Sequence, residues 1–129
     1  MQIETTVSAS IGSLNYRVKI MAGANTVYGD EPVDKGGRGS GMNPYELLLA
    51  SLGACTVTTL RLYSERKGID LGEIGVELHL HSENGITRIV RTLSYTSQPK
   101  EEQKIRLIQI ANLCPVHKIL TGSISVETH

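Results

Sequence analysis

The strongest constraint on this chain is an uncharged run of fourteen residues, Leu47 to Leu60, that follows directly on Asn43-Pro44-Tyr45-Glu46. Asn43 suits a helix N-cap, because its side-chain oxygen can accept an orphan backbone N–H, and Pro44 suits the first helical position, where a missing N–H costs nothing. The helix is predicted to run to about Lys67, with Gly68 closing it and Arg61, Arg66 and Lys67 in its last turns. Leu47, Leu48, Leu49, Leu52, Ala54, Val57 and Leu60 fall on every side of a 3.6-residue wheel, and a helix apolar all round is expected to be buried all round. Bounded by Glu46 and Arg61, the run is shorter than the roughly 18 apolar residues that span a bilayer. A core helix is expected, not a membrane span.

That helix limits the rest of the fold. A chain of 129 residues is most simply one domain, 1–129. Ile3, Thr5, Val7 and Ala9 alternate with polar residues, Gly12-Ser13 turns the chain, and Leu14, Tyr16, Val18 and Ile20 alternate in return, which predicts an antiparallel hairpin. A short strand at Thr26-Val27-Tyr28 follows. Gly36, Gly37, Gly39 and Gly41 mark the expected most flexible stretch; it lacks the Gly-Lys-Ser/Thr ending of a phosphate loop. Beyond the helix, Val76, Leu78 and Leu80 alternate up to the hairpin signal Asn84-Gly85, and the return strand is Ile86 to about Tyr95. A two-residue turn sets Leu80 opposite Ile89 and Val76 opposite Leu93, but Leu78 opposite Arg91. An inward arginine there is an anomaly that a subunit interface or a slipped register would explain. Pro99 to Leu113 reads as a second helix with Ile105, Ile108 and Leu113 among its apolar positions, Pro115 starts a third, and Ser123 to Glu127 alternates as a last strand. The order β-β-β-α-β-β-α-α-β defines an α+β protein. One sheet and one helix cannot cover every face of the long helix, so the remaining cover is expected from a second copy of the chain.

Charge and cysteine usage narrow the function. Lys plus Arg and Asp plus Glu both number 13, and the basic residues are scattered, which argues against a nucleic-acid binder. The first residues show neither the basic start nor the apolar run of a signal peptide, so a cytoplasmic protein is expected. With only Cys55 and Cys114, neither a disulfide scaffold nor a four-cysteine zinc site is available. The pair reads either as redox chemistry or as two ordinary buried cysteines. Cys114 precedes Pro115-Val116-His117 at a helix start, where amides and the dipole favour a thiolate, whereas burial among leucines and alanines should raise the pKa of Cys55. Cys55, Cys114 and His117, or His79 with His81, offer too few convergent ligands for a metal site.

Gly41-Met42-Asn43-Pro44-Tyr45-Glu46-Leu47-Leu48-Leu49-Ala50, then Gly53-Ala54-Cys55, and much later Cys114-Pro115-Val116-His117-Lys118-Ile119-Leu120 closely resemble the osmotically inducible protein C (OsmC) and organic hydroperoxide resistance superfamily, in its broad OsmC-like branch. The resemblance implies an intertwined homodimer, with two antiparallel sheets wrapped around central helices, that reduces organic hydroperoxides. It needs no cofactor beyond an external thiol or dithiol reductant. It casts Cys55 as the peroxide-attacking thiol, Cys114 as the resolving thiol, and Glu46 as the carboxylate that holds a catalytic arginine. For that arginine it implies Arg38, with Arg17 on an early strand as the alternative; Tyr45 stands where the peroxidases commonly have a carboxylate. Such chemistry needs a cation to stabilise the attacking thiolate and the departing alkoxide, and a second thiol to convert the sulfenic acid to a disulfide. Nine positions separate Glu46 from Cys55, two and a half turns and roughly 13 Å along a straight helix, so their cooperation requires a kink near Gly53 or a partner subunit.

Overall fold

A computed structural model describes residues 2–129. The chain divides into two compact units, one ending at Leu48 and the other spanning Leu49–His129.

The first unit holds a three-stranded antiparallel sheet in the order β1-β2-β3: β1 Ser8–Ile11, β2 Val18–Ala22 and β3 Asn25–Gly29. Ile20 on β2 stands between Ala9 and Val27. The expected first strand began at Ile3, but the ladder begins at Ser8. Among the described residues, 3 to 7 find no strand to pair with, and Ile3 and Val7 remain exposed.

The glycine-rich stretch, expected to be the most flexible, is tied down instead. The buried carboxylate of Asp30 accepts four hydrogen bonds, from the N–H groups of Glu31 (2.8 Å), Arg38 (3.2 Å) and Ser40 (3.1 Å) and from the Ser40 hydroxyl (2.6 Å). These bonds favour the ionised form and pull the carboxyl down to about 2. The Asp30 N–H donates to the Met42 carbonyl (3.0 Å), closing a bridge from Gly29 to Met42. At Gly37 a Cβ would collide with the Glu31 backbone, and at Gly41 with the Tyr28 carbonyl. Glycine is used here for close approach of backbone to backbone.

Helix α1, Pro44–Lys67, starts where the sequence marked it. Asn43 Oδ1 accepts the Glu46 N–H and Glu46 Oε1 accepts the Asn43 N–H, both at 2.9 Å, a reciprocal capping box. Gly68 follows in the left-handed conformation, φ +66°. In the second unit α1 packs on an antiparallel hairpin, β4 Ile74–Glu83 and β5 Ile86–Tyr95, whose turn places Asn84 and Gly85 at φ +53° and +77°. The expected register holds: Val76 faces Leu93, Leu80 faces Ile89, and Leu78 faces Arg91. Gly53 sets the helix backbone against Leu78 and Val76 of β4.

Two shorter helices follow, α2 Glu101–Ala111 and α3 Pro115–Thr121. The core of this unit is Leu60, Leu71, Leu107, Ile110 and Ala111, flanked by Tyr63, Ile74 and Leu93. Within the single chain α1 is not buried all round. Leu52, Gly53, Thr56, Leu60 and Ser64 form one buried stripe at helical spacing, while Leu48 and Leu62 are exposed. By length and composition alone α1 would suit a bilayer, but this stripe is committed to the hairpin and the core. On α2 the buried positions are Leu107, Ile110 and Ala111, whereas Ile105, Ile108 and, just beyond the helix, Leu113 stay exposed. The predicted strand at Ser123 to Glu127 does not form. Among the described residues no strand pairs with it, and Ile124 and Val126 are exposed.

Candidate active site

The second unit brings Cys55 and Cys114 together, although 59 positions separate them in the chain. Cys55 rides on α1 beside the buried stripe. Cys114 sits immediately before α3, in extended conformation, with Pro115 opening the helix and the His117 N–H donating to Cys114 Sγ at 3.4 Å. Both thiols are free. Cys114 is fully buried, whereas Cys55 is only partly buried and lines a cavity of about 570 Å³. Ala54, Leu62, Ile110, Leu113 and Pro115 give that cavity an apolar wall.

Burial pushes the Cys55 thiol above its usual pKa, as its leucine-rich surroundings predicted. The Val116 N–H opposes this by donating to the sulfur, Cys114 adds to it as a hydrogen-bonded and charged neighbour, and Thr59 pulls weakly downward. The two thiols are therefore near enough to act on each other's surroundings. That closeness is what interconversion between two thiols and one disulfide requires.

Arg91, the residue that looked misplaced on β5, brings a guanidinium to Cys114. Its Nη1 donates to Thr56 Oγ1 (3.0 Å) and lies 3.9 Å from Cys114 Sγ. Its Nη2 donates to Asn112 Oδ1 (2.9 Å) and meets His117 Nδ1 at 3.0 Å. Arg91 thus ties α1, β5 and the approach to α3 together. His117 is held below its usual pKa by burial and by the Arg91 charge, which leaves Nδ1 as the acceptor in that contact. Sequence reasoning passed over Thr56, Asn112 and the guanidinium side of His117. The available signal was the register at Asn84-Gly85, which put a charge on a face otherwise occupied by Val76, Leu80 and Leu93.

Arg38 and Glu46 belong to the first unit. Arg38 is exposed and gives its backbone N–H to Asp30. The Glu46 carboxylate closes the capping box with Asn43. Arg17, the alternative, lies over the ring of Tyr28 at 4.1 Å from its centroid, a cation–π contact. Tyr45 is exposed. His81 meets Glu83 at 3.3 Å on the exposed face of β4. Among the described residues no three His, Cys, Asp or Glu side chains converge on a metal-sized space.

Two antiparallel sheets and three helices make this an α+β fold that carries both cysteines in its second unit. The family model described as OsmC-like protein matches residues 37–129, and the chain belongs to that family. Solved structures share the fold. An OsmC-like protein from Mycoplasma pneumoniae superposes with a TM-score of 0.81 at 19% identity, covering 95% of this chain and 90% of that one. An organic hydroperoxide resistance protein OsmC from Legionella pneumophila gives 0.66 at 21%, covering 95% and 92%. The organic hydroperoxide resistance protein OhrB of Bacillus subtilis gives 0.63 at 23%, covering 93% and 92%. No curated protein sequence matches the chain.

Proposed function

We propose that this protein is a thiol-dependent peroxidase that reduces organic hydroperoxides to alcohols. The observation that carries this reading is the partly buried Cys55 on an apolar cavity with Cys114 directly beside it. The Cys55 thiolate attacks the distal peroxide oxygen, the O–O bond breaks, and the alkoxide leaves and takes a proton. Cys55 becomes a sulfenic acid. Cys114 then displaces its hydroxyl as water and forms an intramolecular disulfide, which an external dithiol reduces. The apolar wall favours an alkyl hydroperoxide over hydrogen peroxide. The family resemblance assigns Arg38 as the cation for peroxide attack and Glu46 as the carboxylate that orients it. The working form is a homodimer in which a second copy covers the exposed apolar side chains of α1, Leu48 and Leu62 among them. A cytoplasmic location is part of this proposal.

The test is rapid-mixing oxidation by an alkyl hydroperoxide. Cys55→Ser should abolish turnover, and Cys114→Ser should permit one oxidation and trap a sulfenic acid on Cys55 that dimedone labels. Labelling at Cys114 in Cys55→Ser with turnover retained reverses the roles. Arg38→Ala should slow the first oxidation, with Arg17→Ala as the control. Sedimentation should give a dimer, and a folded monomer at micromolar dilution contradicts that assembly.

A binding protein on the same fold is the second reading, favoured by a cleft of about 1090 Å³ along β5 and α2 with Arg91, Lys104 and Asn112 on its walls. It gains if hydroperoxide consumes neither thiol.

A further inference from the structure

Arg91 carries a charge that its neighbours do not balance. Its three oxygen and nitrogen partners are a hydroxyl, an amide oxygen and a neutral imidazole nitrogen. Among the described residues no carboxylate lies within ion-pair distance of the guanidinium. A partly buried cation without an anion is unfavourable unless something nearby takes up negative charge. The neighbour able to do so is the fully buried Cys114 sulfur, 3.9 Å from Nη1 and also in contact with the His117 N–H. Of the other titratable groups facing that sulfur, Cys55 from α1 is held toward its neutral form by burial, and His117 from α3 toward its neutral form by burial and Arg91.

We infer that Arg91 is the positioning residue of the resolving thiol: its guanidinium, fixed by Thr56, Asn112 and His117, stabilises the negative charge that the Cys114 sulfur carries as it attacks oxidised Cys55. This rests on the reading of Cys55 as the thiol oxidised first. In the step concerned, the Cys114 sulfur donates an electron pair to the sulfenic sulfur of Cys55, the S–O bond breaks, and hydroxide leaves and takes a proton to become water. The guanidinium acts on the attacking sulfur, so its role belongs to disulfide closure and is separate from the role assigned to Arg38 at the peroxide.

The full-length chain tests this with Arg91→Met, which keeps length and removes charge, and Arg91→Lys, which keeps charge and loses the fork. Sulfenic acid formation on Cys55 is followed first, and closure of the disulfide second, across pH. Arg91→Met should still be oxidised at Cys55 but close about tenfold or more slowly at neutral pH, with its closure profile moved to higher pH. Arg91→Lys should recover part of the rate and keep the profile of the unsubstituted protein. If Arg91→Met closes at the original rate with an unmoved profile, the inference is overturned. Should that variant not fold, Arg91→Lys and Asn112→Ala decide. Each releases the fork and should slow closure but not the first oxidation, and original closure rates in both overturn the inference.

A second arm separates this inference from the peroxidase reading. Cys55 is loaded as a mixed disulfide with glutathione, and expulsion of glutathione by Cys114 is timed. The same dependence on Arg91 in this arm supports the inference even if no hydroperoxide is consumed. Equal rates in all variants overturn it.

Discussion

Asp30 is a buried charge in the first unit and Arg91 a partly buried charge in the second, and they are finished differently. The Asp30 carboxylate is surrounded by four donors supplied by its own loop, and its charge is fully met by neutral N–H and O–H groups. The Arg91 guanidinium is also surrounded by neutral groups, but one neighbour, Cys114, can change its charge. The first arrangement only holds a conformation, because nothing around Asp30 can gain or lose a proton near neutral pH. The second holds a conformation and also couples to chemistry. A complete hydrogen-bond shell with inert partners reads as architecture, and one with a reactive partner reads as a site.

The largest effect is expected at the inert charge. Asp30→Ala removes the acceptor shared by three backbone N–H groups and a hydroxyl, and leaves donors in a loop whose glycines have no side chains with which to repack. The melting temperature should fall by about 5 °C or more. Hydrogen exchange should quicken at Arg38 and Ser40, while glutathione expulsion by Cys114 should be unchanged. Asp30 should also give an acid limb. Its folded pKa is depressed from 3.8 to about 2, so its stabilisation is complete above 3.8 and is lost as pH falls toward 2. A variant that melts normally and keeps the same acid limb breaks the contrast on its structural side.

Thr56→Val is a smaller change aimed at the reactive charge. The Thr56 side chain is fully buried, its hydroxyl donates to the Leu52 carbonyl at 2.7 Å, and its oxygen accepts from Arg91. Valine fills the same volume but takes away one of the anchors of the guanidinium. A loss of about 1 to 2 kcal/mol in chemical denaturation is expected, together with slower disulfide closure. Stability lost without any change in closure would make Arg91 as architectural as Asp30.

The sequence was most legible where one local signal had one outcome. Asn43-Pro44 and Gly68 bounded α1, and Asn84-Gly85 fixed the register that turned Arg91 inward. The last strand failed because alternation in Ser123 to Glu127 states a preference for pairing, not the presence of a partner. The glycine-rich loop was misjudged because its order comes from one aspartate whose donors lie one to ten positions away, a pattern that periodicity does not record. Arg91 was visible as an anomaly but not as a site, because Thr56, Asn112, Cys114 and His117 come from separate segments that only folding brings to it.

The smallest predicted effect concerns His117 and sharpens the contrast at its finest point. His117 is neutral in the fold because burial and the Arg91 charge both oppose a proton on the ring. Its folded pKa is therefore below the unfolded value of about 6.5. As pH falls through that unfolded value the unfolded chain takes up a proton that the folded chain refuses. The contribution of the neutral imidazole is thus present above about 6.5 and declines below it. His117→Gln keeps a side-chain acceptor for Arg91 but cannot titrate. Its stability should be nearly level between about pH 7 and pH 5, where the unsubstituted protein weakens. If the unsubstituted protein is instead level across that interval, His117 is not held neutral against Arg91. The guanidinium would then lack its third neutral anchor, and the contrast would reduce to Thr56 and Asn112 alone.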